Sequence, residues 1–124
     1  MVAQRGDRKA IAMDSISYID ESDAGHIILS ASHGGAPSAE YARSQNLGAV
    51  FFNDAGVGKD KAGIAALALL NFPAATVSHL SARIGDATDM WQHGVISHIN
   101  DAARRSGLTV GERLQEAVGK LLDR

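Results

Sequence analysis

The chain has 124 residues and a formal charge of −2, enough for one domain that buries about two-thirds of the surface its unfolded chain exposes. It contains no cysteine, which excludes disulfides, thiolate catalysis and cysteine-held zinc. Without a Lys/Arg cluster, that charge balance leaves no electrostatic footprint for nucleic acid.

The residues Met1 to Lys9 are polar and charged, with no signal-peptide apolar core, and positions 1–8 read as a flexible lead. No run approaches the length that crosses a bilayer, so a cytoplasmic location without membrane contact is expected. Ala10-Ile11-Ala12-Met13 and Ile16-Ser17-Tyr18-Ile19 are β-prone pieces around Asp14-Ser15. Asp20 to Gly25 has the composition of a turn. His26 to Ser32 is a continuous run of apolar and small residues, the mark of a strand covered on both faces. Pro37 to Gln45 reads as a helix with proline in its first turn. Ala49-Val50-Phe51-Phe52 is a second buried strand, ending at Asn53-Asp54.

Asp60 to Leu70 reads as a helix apolar nearly all round, which calls for cover on more than one side and points to a homo-oligomer. Ala74-Ala75-Thr76-Val77 is a third strand, ending at Ser78-His79. Asp86 is placed to cap a helix bearing Met90, Trp91, Val95, Ile96 and Ile99 as far as Arg105, kinked at Gly94. On that helix His93 and His98 would lie about 140° apart and make a poor pair. Thr109 and Glu112 have capping-box spacing for a last amphipathic helix through Leu122.

Strands alternating with helices predict a single α/β domain over 1–124. The expected form is a three-layer sandwich with a mainly parallel sheet of four or five strands and helices on both faces. Parallel strands emerge at one edge, and ligands bind outside their carboxyl ends. His33, Asp54 and His79 each follow a predicted strand, at spacings of 21 and 25 residues, so the three are expected to share one pocket.

The turns holding them read SHGG, NDAGVGKD and SHLSARIGD. Gly34, Gly35, Gly56 and Gly58 are expected to turn backbone N–H groups toward the pocket, where such donors hold an anion or a developing oxyanion. Lys59 and Arg83 are placed on its rim, with Ser32, Asn53, Ser81 and Asp86 lining it. The segment Gly56-Val57-Gly58-Lys59 lacks the early glycine and the Ser/Thr of a nucleotide phosphate loop. Two histidines and an aspartate are ligand types for a divalent metal. No closely spaced pair such as HxH or HExxH anchors one, so a metal is not favoured. A serine nucleophile at Ser32 or Ser81 would lack the GxSxG elbow.

Ser32-His33-Gly34 after one strand and Asp54-Ala55 after the next are similar to the layout of caspase-like peptidases. Those carry a His-Gly after one strand and a cysteine after the next. Here the cysteine position falls on Gly56, so the resemblance implies only a non-catalytic relative over roughly residues 26–80.

Two functions fit these residues. One is a small-molecule enzyme, a hydrolase or other histidine acid/base catalyst, in which His33 or His79 moves a proton, Asp54 orients it, and Lys59 and Arg83 hold an anionic metabolite. The other is a non-catalytic domain that binds a metabolite or a partner at the same edge.

Overall fold

The computed structural model describes residues 1–123. They form one mixed α/β fold around a six-stranded sheet whose strands lie in chain order. The strands are β1 (Ala3–Arg5), β2 (Arg8–Met13), β3 (Ile27–His33), β4 (Ala49–Asn53), β5 (Ala74–Val77) and β6 (Ile96–Ile99). The four central strands run parallel, whereas β1 and β6 pair antiparallel at the two edges. The helices are α1 (Ala36–Arg43), α2 (Ala65–Leu69), α3 (Ala87–His93), α4 (Asp101–Arg105) and α5 (Leu114–Leu122). None of them is long and apolar enough to cross a membrane.

Strands β3, β4 and β5 are buried on both faces along most of their length because they are runs of apolar and small residues. Consecutive residues of a strand point to opposite faces, and Phe51 and Phe52 duly enter two different cores. One core joins Ile27, Leu29 and Phe51 to Met90 of α3 and to Leu114, Ala117 and Val118 of α5. The other joins Ile28, Val50 and Phe52 to Ala39 and Ala42 of α1 and to Ala66 and Leu67 of α2. Each phenylalanine contributes about 2 kcal/mol through its burial. Alanine supplies most of the buried positions of α1 and α2 (Ala39, Ala42 and Ala66), whereas α3 and α5 pack through Met90, Leu114 and Val118.

Four expectations from sequence are corrected. The sheet has six strands rather than four or five, since the lead residues supply β1 and a segment read as helix supplies β6. Ile16–Tyr18 is a 3₁₀ turn, not a strand, because the Ser15 hydroxyl accepts the Ser17 N–H and closes the turn. The expected helix over 60–70 is split into a 3₁₀ turn, Lys59–Ile64, and the short α2, with Asp60 and Lys61 in left-handed conformations inside the turn. The split also alters its surface: Ala66 and Leu67 are buried, while Leu69 is exposed. The long helix from Asp86 ends at His93, and the chain re-enters the sheet at Ile96. Gly94 and the β-branched Val95 and Ile96 favour that change.

Gly107 and the 109–112 turn then lead into α5. Glu112 accepts the Thr109 N–H at 3.1 Å, as capping-box spacing predicts, although α5 begins only at Leu114. In the middle of the sheet, β3, β4 and β5 are adjacent and parallel, as their spacing predicts.

Asn100 ties this end of the molecule together. Its Oδ1 accepts the N–H groups of Ala74, at the start of β5, and Ala103, in α4. Its Nδ2 donates to the Phe72 carbonyl at 2.9 Å and lies near those of Leu70 and Leu67. Three segments thus share one side chain. Asn100→Ala is expected to cost about 2 kcal/mol or more by urea unfolding, because it leaves several of these groups unpaired. Asn100→Asp should not restore the loss, since a carboxylate would face the three carbonyl oxygens.

Candidate active site at the ends of β4, β5 and β6

The site is organised by Asp54, whose side chain is almost fully buried just past the end of β4. A charged carboxylate is stable there only if donors surround it. Its Oδ1 accepts the backbone N–H of Gly56 at 2.8 Å, the backbone N–H of His79 at 3.1 Å and the His79 Nδ1 at 3.3 Å. Burial pushes the carboxyl pKa up. The Gly56 N–H, the Ser97 hydroxyl beside it, and the His79 N–H and ring outweigh that and hold it below its usual 3.8. Against an ionised partner the His79 Nδ1 carries the proton, so its Nε2 is left as the free acceptor on a ring that is 46% exposed.

His98 approaches the other oxygen, with its Nδ1 4.0 Å from Oδ2. A β-bulge brings it there. Thr76 of β5 pairs with His98, but the next residue, Val77, pairs with Ile96, so Ser97 is the extra residue. In a regular strand Ser97 and His98 would point to opposite faces. Here both reach the Thr76 hydroxyl, Ser97 Oγ at 2.9 Å and His98 Nδ1 at 3.4 Å, and they lie 3.2 Å from each other. Asp54, Thr76, His79, Ser97 and His98 therefore form one polar cluster.

No protein-family model, curated protein or solved structure matches the chain. The functional reading therefore rests on the cluster and on what borders it.

A cleft of about 820 Å³ opens beside His98, between α2 on one side and β6 and α4 on the other. It is lined by Ser97 and His98 of β6, by the apolar Leu67, Leu70 and Ile99, and by Arg104 and Arg105 of α4. Its volume falls in the usual range for small-molecule sites, about 300–1,000 Å³.

The residues singled out from sequence divide into two groups. Asp54 and His79 are in contact, as expected. His33 is not part of that contact: its Nδ1 accepts the Gly35 N–H at 3.1 Å and helps start α1. Among the described residues, no hydrogen bond or ion pair joins His33 to Asp54 or His79.

The glycine N–H groups do not converge on an open pocket. Gly34 donates to Asn53 O, Gly35 to His33, Gly58 to Gly56 O, and Gly56 to Asp54 itself. The remaining candidates also serve the scaffold. Ser32 bonds Ser30, and Asn53 bridges Ala82 O and Ala55 N. Ser81 bonds Ser78 O and accepts Val95 N–H, while Asp86 caps α3. Lys59 and Arg83 are exposed and lie outside the cleft. Among the described residues, no group of three or more His, Asp or Glu is disposed to hold a metal ion.

Sequence reasoning missed Ser97, His98, Arg104 and Arg105 because the 86–105 region reads as one helix. The missed signal was the run of Val95 and Ile96 directly after Gly94, with a capping asparagine at position 100.

The turn after Asp54 holds the carboxylate in place at some cost. Ala55, Gly56, Val57 and Gly58 all have positive φ, an uncommon state for alanine and a strained one for β-branched valine. Gly63 closes the turn from above by donating to Val57 O at 2.7 Å, with its Cα hard against the Asp54 carbonyl. A Cβ at Gly63 would collide with that carbonyl oxygen, and one at Gly34 would come within 2.6 Å of Gly63 O.

Gly63→Ala is therefore expected to cost about 3 kcal/mol, because the only relief is movement of backbone. It should also weaken the His79–Asp54 contact, seen as a shift in the His79 ring resonances. Titration tests the carboxylate. Because the folded pKa of Asp54 is depressed, the folded state binds fewer protons than the unfolded state over the acid range. Its contribution is complete above the usual 3.8 and disappears as pH drops through the folded value. Asp54→Asn should lower stability near neutrality by about 2 kcal/mol. It should also make unfolding free energy less steep in pH between about 5 and about 2 than in the parent chain.

Proposed function

We propose that the chain is a small-molecule enzyme that uses histidine acid/base chemistry, a hydrolase in the simplest case, on an anionic metabolite held in the cleft beside His98. The observation that carries this reading is one buried, ionised carboxylate flanked by two histidines, one of which borders a cavity of substrate size. Asp54 fixes the tautomer of His79 and lowers the free energy of either ring when it is protonated. His98, at the cleft, is placed to take a proton from a bound substrate or an attacking water and return it to a leaving group. Cationic hold on the substrate passes from Lys59 and Arg83, as expected from sequence, to Arg105.

The helices that enter two separate cores support a three-layer arrangement, and the exposed Leu69 of α2 supports self-association through that face. A second reading is favoured by the glycines. Their N–H groups are all used inside the fold, so they offer no oxyanion hole, and a non-catalytic binding domain would need none. The caspase-like layout belongs to this second reading, with Gly56 packed against the His79 ring where a nucleophile would stand.

Turnover of a panel of carboxylate- and phosphate-bearing esters, amides and phosphoesters decides between them. His98→Ala and His79→Ala are each expected to lower kcat by about a hundredfold or more, with cooperative unfolding retained. Phosphate- and carboxylate-bearing substrates should be preferred over neutral analogues. A pure protein that turns over none of the panel, or histidine variants with undiminished kcat, would transfer the site to the binding-domain reading.

A further inference from the structure

The cleft has two unlike ends, and that restricts what fills it. Ser97 and His98 line it from the part of β6 that pairs toward the carboxyl end of β5, and Ile64, Leu67, Leu70, Ile99 and Val110 are its apolar lining. Asp101, Arg104 and Arg105 line it from α4, which follows β6 beyond the amino end of β5. Arg104 is neutralised by Asp101, with Nη1 2.8 Å from Oδ1. Arg105 makes no ion pair or side-chain hydrogen bond among the described residues, so a cation without a counter-charge is among the residues lining an apolar trough. A guanidinium so placed matches a carboxylate in geometry and charge. The apolar walls match a hydrocarbon stem, whose burial adds about 0.8 kcal/mol per methylene. A short polar anion would use the arginine and leave the walls wet, and a neutral lipid would do the reverse.

We infer that the cleft is a binding site for an amphipathic carboxylate, with its head group on Arg105, its hydrocarbon stem along Leu67, Leu70 and Ile99, and its far end at His98. As a description of substrate this rests on the acid/base reading above; as a binding site it stands without it. The stem runs from the cation toward the histidine, so the reacting group is at the end of the molecule opposite the carboxylate.

Octanoate is the probe, with acetate as head without stem and octanol as stem without head. Binding is followed by calorimetry and by the shifts of the His98 ring and Ile99 methyl resonances. Octanoate is expected to bind at least tenfold more tightly than either fragment and to move both sets of resonances. Arg105→Ala should weaken octanoate by about tenfold and leave octanol unchanged, the loss of one charge-assisted contact. Val110→Asp, at an exposed position, should weaken octanoate more than acetate without altering the unfolding midpoint. Equal affinity for acetate and octanoate, an Arg105→Ala variant that binds octanoate as the parent does, or shifts that spare His98 and Ile99 would overturn the site. His98→Ala separates the two claims. If it abolishes turnover while the parent fails to bind octanoate, the amphipathic ligand is wrong and the chemistry stands. If octanoate binds as described and His98→Ala keeps full turnover, the site stands and the chemistry is wrong.

Discussion

A carboxylate buried and still charged is a severe demand on a domain this small, and the edge of this sheet is arranged around meeting it. Asp54 satisfies the demand with donors from two different chain segments on one oxygen and with polar hydrogens brought by β6 near the other. An uncompensated charge at that depth would cost several kcal/mol, so removing any one donor is felt by the whole arrangement. Parallel strands make the arrangement possible. Because β4 and β5 run in the same direction, Asp54 and His79 leave the sheet at one edge, 25 positions apart in sequence and in contact in space.

Two irregularities complete what the regular strands cannot. The first is the left-handed turn from Ala55 to Gly58, which folds the Gly56 N–H back on the carboxylate. It is held by Gly63, and Gly63 in turn needs the missing side chain of Gly34. Of the glycines that look like anion-binding donors, Gly34 therefore acts as clearance between backbones. The second is the bulge in β6, which turns two neighbouring side chains, Ser97 and His98, toward one partner on β5. Strain in the first and the extra residue in the second both sit beside the cluster, where such departures from regular geometry are common at working sites.

The same bulge couples the cluster to the cleft. His98 is within reach of Asp54 on one side and borders the cavity on the other. Asn100, two residues on, anchors the cavity wall by joining the segment after α2, the start of β5 and the first turn of α4. Stability and site thus meet in one short segment. Residues 97–100 set the shape of the cleft by the same hydrogen bonds that hold this end of the sheet together.

The sequence by itself determined the alternation of buried strands and covering helices, and the adjacent parallel trio of β3, β4 and β5, because both follow from local periodicity and from the length of a crossover. It also placed Asp54 and His79 at one edge, since a residue just after a parallel strand can emerge nowhere else. Tertiary structure decided the rest. His33 was legible as a strand-end histidine, but whether it faces a site or starts a helix depends on the Gly35 N–H that meets it. His98 was hidden because Val95 to Ile99 carries too few residues to distinguish strand from helix. Its pairing with β5 settles the choice. The position of Arg105 at a cleft, and of Lys59 away from one, follows from how α4 and the 54–64 turn pack, and neighbours distant in sequence set that packing.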